Sequence, residues 1–119
     1  MNFKVDERYN AVVIELKGNV MGGPDGANLL DKLRELKDDG KPNVVVDLSR
    51  VKFMNSSGLG MLISAMTTMR NGGGDLRLAN VADRIRSLLM ITKLITVFKH
   101  FESVEQAADS YETDPPGGS

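Results

Sequence analysis

Polar and apolar residues alternate twice near the start of the chain. Phe3 and Val5 alternate with Lys4 and Asp6, and Val12, Ile14 and Leu16 alternate with Val13, Glu15 and Lys17. A period of two is that of a strand with one face on a core, so two short strands are predicted. Tyr9-Asn10 reads as the turn between them, and Gly18 as the end of the second. Gly22-Gly23-Pro24 then breaks the pattern. From Asp25, placed to cap a helix, to about Asp39 the period becomes helical. Leu29, Leu30, Leu33 and Leu36 share one side, while Asn28, Asp31, Arg34, Glu35 and Asp38 share the other. Gly40 and Pro42 stop this helix.

Val44-Val45-Val46 is a β-branched run suited to a strand buried on both faces, and Asp47-Leu48-Ser49 is expected to end it. A long helix is predicted from about Ser57 to Asn71, followed by the flexible Gly72-Gly73-Gly74 and a strand through Leu76 and Leu78. Asn80 or Asp83 opens a third helix carrying Ala82, Ile85, Leu88, Leu89 and Ile91. Ile95 to Phe98 reads as a last strand. A final helix from about Ser103 turns Val104, Ala107, Ala108 and Tyr111 inward. The order β-β-α-β-α-β-α-β-α predicts one α/β domain over residues 1–111, a mixed sheet of four to five strands with about four helices packed mainly on one side. Residues 112–119 carry no apolar side chain beyond proline and read as a disordered tail.

Composition narrows the chemistry. Fifteen basic against sixteen acidic residues leave a net charge of −1, with no basic run of the kind that marks a nucleic-acid binder. There is no cysteine and one histidine, His100, and no ligand spacing points to a metal or a cofactor. No apolar run approaches the roughly 20 residues that cross a bilayer, so no membrane insertion is expected. Met1 to Asp6 lacks the apolar stretch of a signal peptide. A cytoplasmic location is expected. A serine nucleophile would have to recruit His100, and the Gly-x-Ser-x-Gly pattern is absent around Ser56 and Ser57. Gly72-Gly73-Gly74 follows a helix and lacks a succeeding Lys-Ser or Lys-Thr, so it is no phosphate loop. No enzyme is expected.

One region carries more than folding requires. On the helix predicted over 57–71, Leu59, Leu62, Ile63, Met66 and Met69 form a core stripe. The opposite side carries Gly60, Met61, Ser64, Thr67, Thr68 and Asn71. No charged residue occurs from Met54 through Met69, in a chain where 26% of residues are charged. A solvated helix face normally holds charges. Charge depletion with small residues is what the centre of a protein interface looks like. On this reading Gly60, Met61, Ser64 and Thr68 receive a partner, with Met61 and Ser64 at least partly exposed and Met61 an adaptable apolar contact. The other reading is a helix buried on both sides within its own fold. Ser56 or Ser57 is placed to cap the helix.

The stretch Val45-Val46-Asp47-Leu48-Ser49, then Val51 and Phe53-Met54-Asn55-Ser56-Ser57-Gly58-Leu59-Gly60, resembles the STAS domain of bacterial anti-sigma factor antagonists. The order of strands and helices resembles that fold over roughly residues 2–111. The usual family motif is Asp-Ser-(Ser or Thr)-Gly-Leu-Gly, and the resemblance implies that Ser56 is the phosphoacceptor in a switch turn completed by Asn55, Ser57 and Gly58. It implies as partners an anti-sigma factor that is also a serine protein kinase, and a serine phosphatase that resets the cycle. Asn55 stands where the family usually has Asp, which removes one negative charge beside Ser56 and leaves a near-isosteric side chain. A second role found with this domain is that of an adaptor subunit in a membrane transport or lipid-trafficking complex. The kind of partner that copurifies separates the two.

Overall fold

The structure, a computed structural model, describes residues 1–117. Strand β1 (Asn2–Glu7) folds back through the turn at Tyr9-Asn10 onto β2 (Val12–Val20). Helix α1 (Pro24–Asp38) leads to β3 (Asn43–Met54), α2 (Ser56–Asn71) and β4 (Asp75–Ala79). Helix α3 (Asp83–Ile91), β5 (His100–Phe101) and α4 (Val104–Thr113) complete the chain. The five strands lie in the order β1-β2-β3-β4-β5, with β1 antiparallel to β2 and every later pair parallel. The sheet is therefore mixed, as the alternation of elements predicts.

Val44, Val45 and Val46 explain why the central strand is continuously apolar. Val44 and Val46 enter the main core beneath α1, α2 and α3, where they meet Leu29, Leu62, Leu76 and Ile85. Val45 points the other way, into a smaller core formed with Val13, Ala79, Ala107 and Tyr111 of α4. Three helices thus cover one face and the fourth covers part of the other.

Strand β3 does not end near Ser49 but runs on to Met54, and β2 runs past Gly18 to Val20. The alternation fails there because the pairing shifts register twice, between Glu15 and Lys17 and between Gly18 and Asn19. Such bulges place an extra residue on one strand and break the period of two. Gly18, on β2 at the second shift, has a positive φ of 89°, which glycine adopts without strain. The Asp47 carboxylate accepts the Ser49 N–H at 3.0 Å, covering a donor near the first shift.

Ile95 to Phe98 is not a strand. Leu94 and its neighbours form tight turns, with the Val97 N–H on the Leu94 carbonyl at 3.0 Å. The segment is apolar because Phe98 plugs the main core, and the strand itself is His100–Phe101. Asp25 does not cap α1: Gly23 is the cap residue and Pro24 opens the helix, while the Asp25 carboxylate meets the N-terminal amine at 3.0 Å. Neither Asn80 nor Asp83 caps α3, whose flanking residue is Ala82.

Residues 112 and 113, assigned to the tail by sequence, belong to a helix. Helix α4 continues through Thr113, and the Asp114 carboxylate pairs with Lys99 at 2.6 Å. Arg77, wholly buried on β4, anchors this end. Its guanidinium donates to the Asp114 carbonyl (2.7 Å), to Ser110 Oγ (2.8 Å) and to the Asp75 carboxylate (3.2 Å), and lies over the Tyr111 ring. These polar groups lock α4 onto the sheet. Residues 118 and 119 of the expected tail lie outside the described residues.

Candidate functional site

The turn that ends β3 is built from its neighbours. Met54 is buried in the main core, and the next residue, Asn55, is extended at φ −105° and ψ −178°. Its N–H reaches the Val20 carbonyl on β2 at 3.3 Å, and its own carbonyl accepts the first bond of α2 from the Leu59 N–H at 3.0 Å. The Asn55 side chain then caps the helix, with Oδ1 accepting the Gly58 N–H at 2.8 Å. This corrects the expectation that Ser56 or Ser57 is the cap. The short amide-bearing side chain of Asn55 reaches the third helical N–H from the extended backbone that a cap residue adopts, and both serines are already helical.

That correction frees both hydroxyls. Ser56 and Ser57 occupy the first two positions of α2, are exposed, and have no hydrogen-bond partner for their hydroxyls among the described residues. The N–H groups of a first helical turn have no partner within the helix, and only that of Gly58 is taken by Asn55. No acidic residue lies in the first turn, so the positive end of the helix dipole meets no side-chain charge. An uncharged nucleophile-bearing side chain therefore stands where an anion is favoured.

Gly58 is required by packing. A β-carbon there would lie 2.0 Å from the Val20 carbonyl oxygen. The loop before α1 also packs against the turn, less tightly: a β-carbon on Gly22 would come within 3.2 Å of the Ser57 carbonyl oxygen.

Along α2, Leu59, Leu62, Met66 and Met69 are buried as expected, and Ile63 is half-buried. Gly60, Ser64 and Thr67 are exposed and Thr68 is half-buried, its hydroxyl donating to the Ser64 carbonyl at 3.0 Å. Met61 is the exception. It is 7% exposed, not an outward contact, because α1 crosses beside it. A β-carbon on Gly26 would sit 2.9 Å from the Met61 sulfur, so the glycine in α1 leaves the space that the thioether fills. The exposed face of α2 is consequently a strip of Ser56, Ser57, Gly60, Ser64 and Thr67, edged by an open groove of about 340 Å³ against Gly23 and Ala27.

Two apolar side chains beside the turn escape the helical pattern. Met21, next to Val20, is 46% exposed, and Phe53, two residues before Asn55, is 42% exposed. The signal for Phe53 was present as a large apolar residue next to exposed Lys52, but only the register shift reveals which way it points.

His100 pairs with Leu78, which pairs with Val46, far upstream of Asn55 and two strands away. It is no base for Ser56. Among the described residues no group of three His, Asp or Glu side chains is placed to hold a metal ion, and no helix is long and apolar enough to cross a membrane.

The family model for the STAS domain matches residues 2–107. The anti-sigma-B factor antagonist of Staphylococcus aureus is 32% identical over 98 residues, which cover 79% of this chain and 88% of that protein. Among solved structures, SpoIIAA in its unphosphorylated form superposes with a TM-score of 0.71 at 19% identity, covering 95% of this chain and 99% of its own. The phosphorylated form of the same Bacillus cell fate determinant gives 0.70 at 22% identity, covering 91% and 97%. A sulfate transporter family protein from Wolinella succinogenes gives 0.67 at 18% identity, covering 85% and 84%. At these identities the solved structures speak to the fold, whereas the family match and the staphylococcal relative speak to descent. The chain belongs to the STAS domain family, among the bacterial anti-sigma factor antagonists.

Proposed function

We propose that this protein is an anti-sigma factor antagonist that binds an anti-sigma factor with serine kinase activity and is released when Ser56 is phosphorylated. The observation that carries the reading is the division of labour at the turn. Asn55 takes the capping bond, so Ser56 keeps an unengaged, exposed hydroxyl at the positive end of α2. The uncharged strip of Ser57, Gly60, Ser64 and Thr67 beside it receives the partner, with Thr68 at its edge. Met21 and Phe53 supply the apolar contact that buried Met61 does not.

The switch follows from charge. A phosphoryl group adds about −1.5 to −2 charges at neutral pH and three strong acceptor oxygens. At the start of a helix, free N–H groups and the dipole hold such an anion, so the antagonist itself has no need to rearrange. The partner bears the cost, because a face that docked uncharged now presents an anion that must be stripped of water. A serine phosphatase restores the docking form. Asn55 fills the structural role of the usual acidic residue without its charge, which bears on how fast the kinase works and not on whether the turn forms.

The test is a pull-down from the source cell, followed by incubation with the captured kinase and ATP. Modification of Ser56 alone, with release of the complex, is the expected result. Capture of a transporter ATPase with Ser56 unmodified would replace this reading with that of an adaptor subunit.

A further inference from the structure

On the face of the sheet that α4 occupies, the helix covers Ala11, Val13, Val45 and Ala79. The trailing ends of β2 and β3 continue past it. There Asn2, Lys17, Ser49, Arg50 and Lys52 line a shallow open depression of about 530 Å³. Leu16, Leu48 and Val51 of the same strands point into the main core on the far side. Lys17, Ser49, Arg50 and Lys52 are all exposed.

The charges here are arranged against stability. Lys17 and Arg50 are direct cross-strand neighbours, and like charges facing one another across a sheet destabilise it. One strand pair away, Lys4 faces Glu15, the favourable combination. The Glu15 carboxylate, just outside the depression, lies 3.6 Å from Arg50, and no acidic residue is among those lining the depression. Lys17 and Lys52 form no ion pair among the described residues. The geometry is specific as well. Both register shifts between β2 and β3 flank this point, and the second leaves Lys52 as the extra residue between Val51 and Phe53. Bulges re-aim side chains at functional places on a sheet, and here they gather three cations around one hollow.

We propose that this hollow is a docking site for an acidic segment of a partner protein, whose carboxylates pair with Lys17, Arg50 and Lys52. Three cations bounded by Glu15 make a local positive spot in a chain of net charge −1. An anionic membrane is read by larger basic clusters, of roughly four to eight residues. The depression lies on the face of the sheet away from α2, and none of the residues of the Ser56 strip line it.

The full chain, isotope-labelled, is titrated with a hexaglutamate peptide at low ionic strength and followed through its backbone amides. The shifts are expected to centre on Lys17, Gly18 and Ser49 to Lys52, and to fade as salt is raised, since exposed charges are screened. Arg50→Gln and Lys52→Gln should each weaken the peptide, and Lys52→Glu by about tenfold or more. Lys17→Glu should raise the melting temperature while lowering affinity, a combination that a purely structural lysine does not produce. Ser64→Glu, on the opposite face, should leave the peptide affinity unchanged. Shifts centred elsewhere, or an affinity indifferent to Lys52→Glu, would overturn the proposal. So would phosphatidylserine vesicles that bind through the same three residues when hexaglutamate does not, which would make the surface a lipid site.

Discussion

The carbonyl oxygen of Val20 fills the space where Gly58 lacks a β-carbon, 2.0 Å from the position such an atom would take. The same oxygen accepts the Asn55 N–H, so the end of β2 holds both the cap and the third residue of α2. Gly58→Ala must push the helix off the strand. Forcing atoms into a packed interior costs about 1–3 kcal/mol, and the obstacle here is backbone, so the upper part of that range is expected. Urea denaturation should show the loss, and partner binding should fall with it because the strip on α2 is displaced.

Asn55 separates capping from charge. Asn55→Ala removes the acceptor of the Gly58 N–H and should lower stability by about 1 kcal/mol. Asn55→Asp keeps the acceptor and adds a negative charge at the helix start, which should raise stability by about 0.3–1 kcal/mol at low salt. Thermal melts of the two variants should move in opposite directions. If the missing charge limits phosphotransfer, the Asp variant is also modified faster by the cognate kinase.

Tyr111 ties α4 to the sheet through a buried hydroxyl. It accepts the Val44 N–H at 3.1 Å and lies within donating distance of the carbonyls of Val44 (2.5 Å) and Asp75 (2.8 Å). Burial first, and the neighbouring Asp75 carboxylate second, push the phenol far above its ordinary value of 10.0. Below that pH both folded and unfolded chains keep the proton. Above it only the unfolded chain releases it, so stability falls as pH rises, by up to about 1.4 kcal/mol per pH unit from this group. Tyr111→Phe leaves the Val44 N–H without its partner and should cost about 1–3 kcal/mol near neutrality. Its alkaline melting curve should be flatter above pH 10 than that of the parent.

Much of this molecule is legible from periodicity. The paired strands at Phe3–Val5 and Val12–Leu16, the doubly buried Val44–Val46 and the inward residues of α4 follow from spacing alone. What spacing misses is non-local. The bulges that carry β2 and β3 to Val20 and Met54 depend on two strands at once. Phe98 looks like strand because it is apolar, yet it is apolar as a plug in the core. Arg77, Asp75 and Ser110 are polar side chains that the fold nevertheless buries, which no spacing announces. At the site, the sequence pointed to Ser56 or Ser57 as the cap, because only the folded backbone shows that the Asn55 side chain is the one that reaches the Gly58 N–H. Nor could sequence show that Gly26 of α1 makes room for Met61.

That burial gives Met61 and Ser64, three residues apart on α2, opposite signatures. Met61→Ala leaves a void beneath α1 and should cost about 2–5 kcal/mol of stability. Ser64→Glu places a charge on the exposed strip and should change stability by no more than about 0.5 kcal/mol. Partner binding should respond the other way round. Measured at a temperature where both variants are folded, it falls sharply for Ser64→Glu and modestly for Met61→Ala. Equal loss of stability and binding in Ser64→Glu would move the docking surface off α2.

Ser56 gives the sharpest separation between fold and function. An acidic side chain at the first position of α2 sits among free N–H groups, with no other acid in that turn. Ser56→Asp should therefore match the parent in stability or exceed it by up to about 1 kcal/mol. The same charge faces the partner across the docking strip, and its dehydration is uncompensated there. A buried unpaired charge costs several kcal/mol, enough to weaken the complex by about a hundredfold or more. Ser56→Ala should bind as the parent does and persist in the presence of kinase and ATP, because no phosphoryl group can be placed to end the complex. Ser57→Ala should remain switchable. The decisive measurement is calorimetric titration of all three variants with the purified kinase, alongside their melting temperatures. Retention of parental affinity by Ser56→Asp, with parental stability, would remove Ser56 from the switch and leave an antagonist whose binding is constitutive.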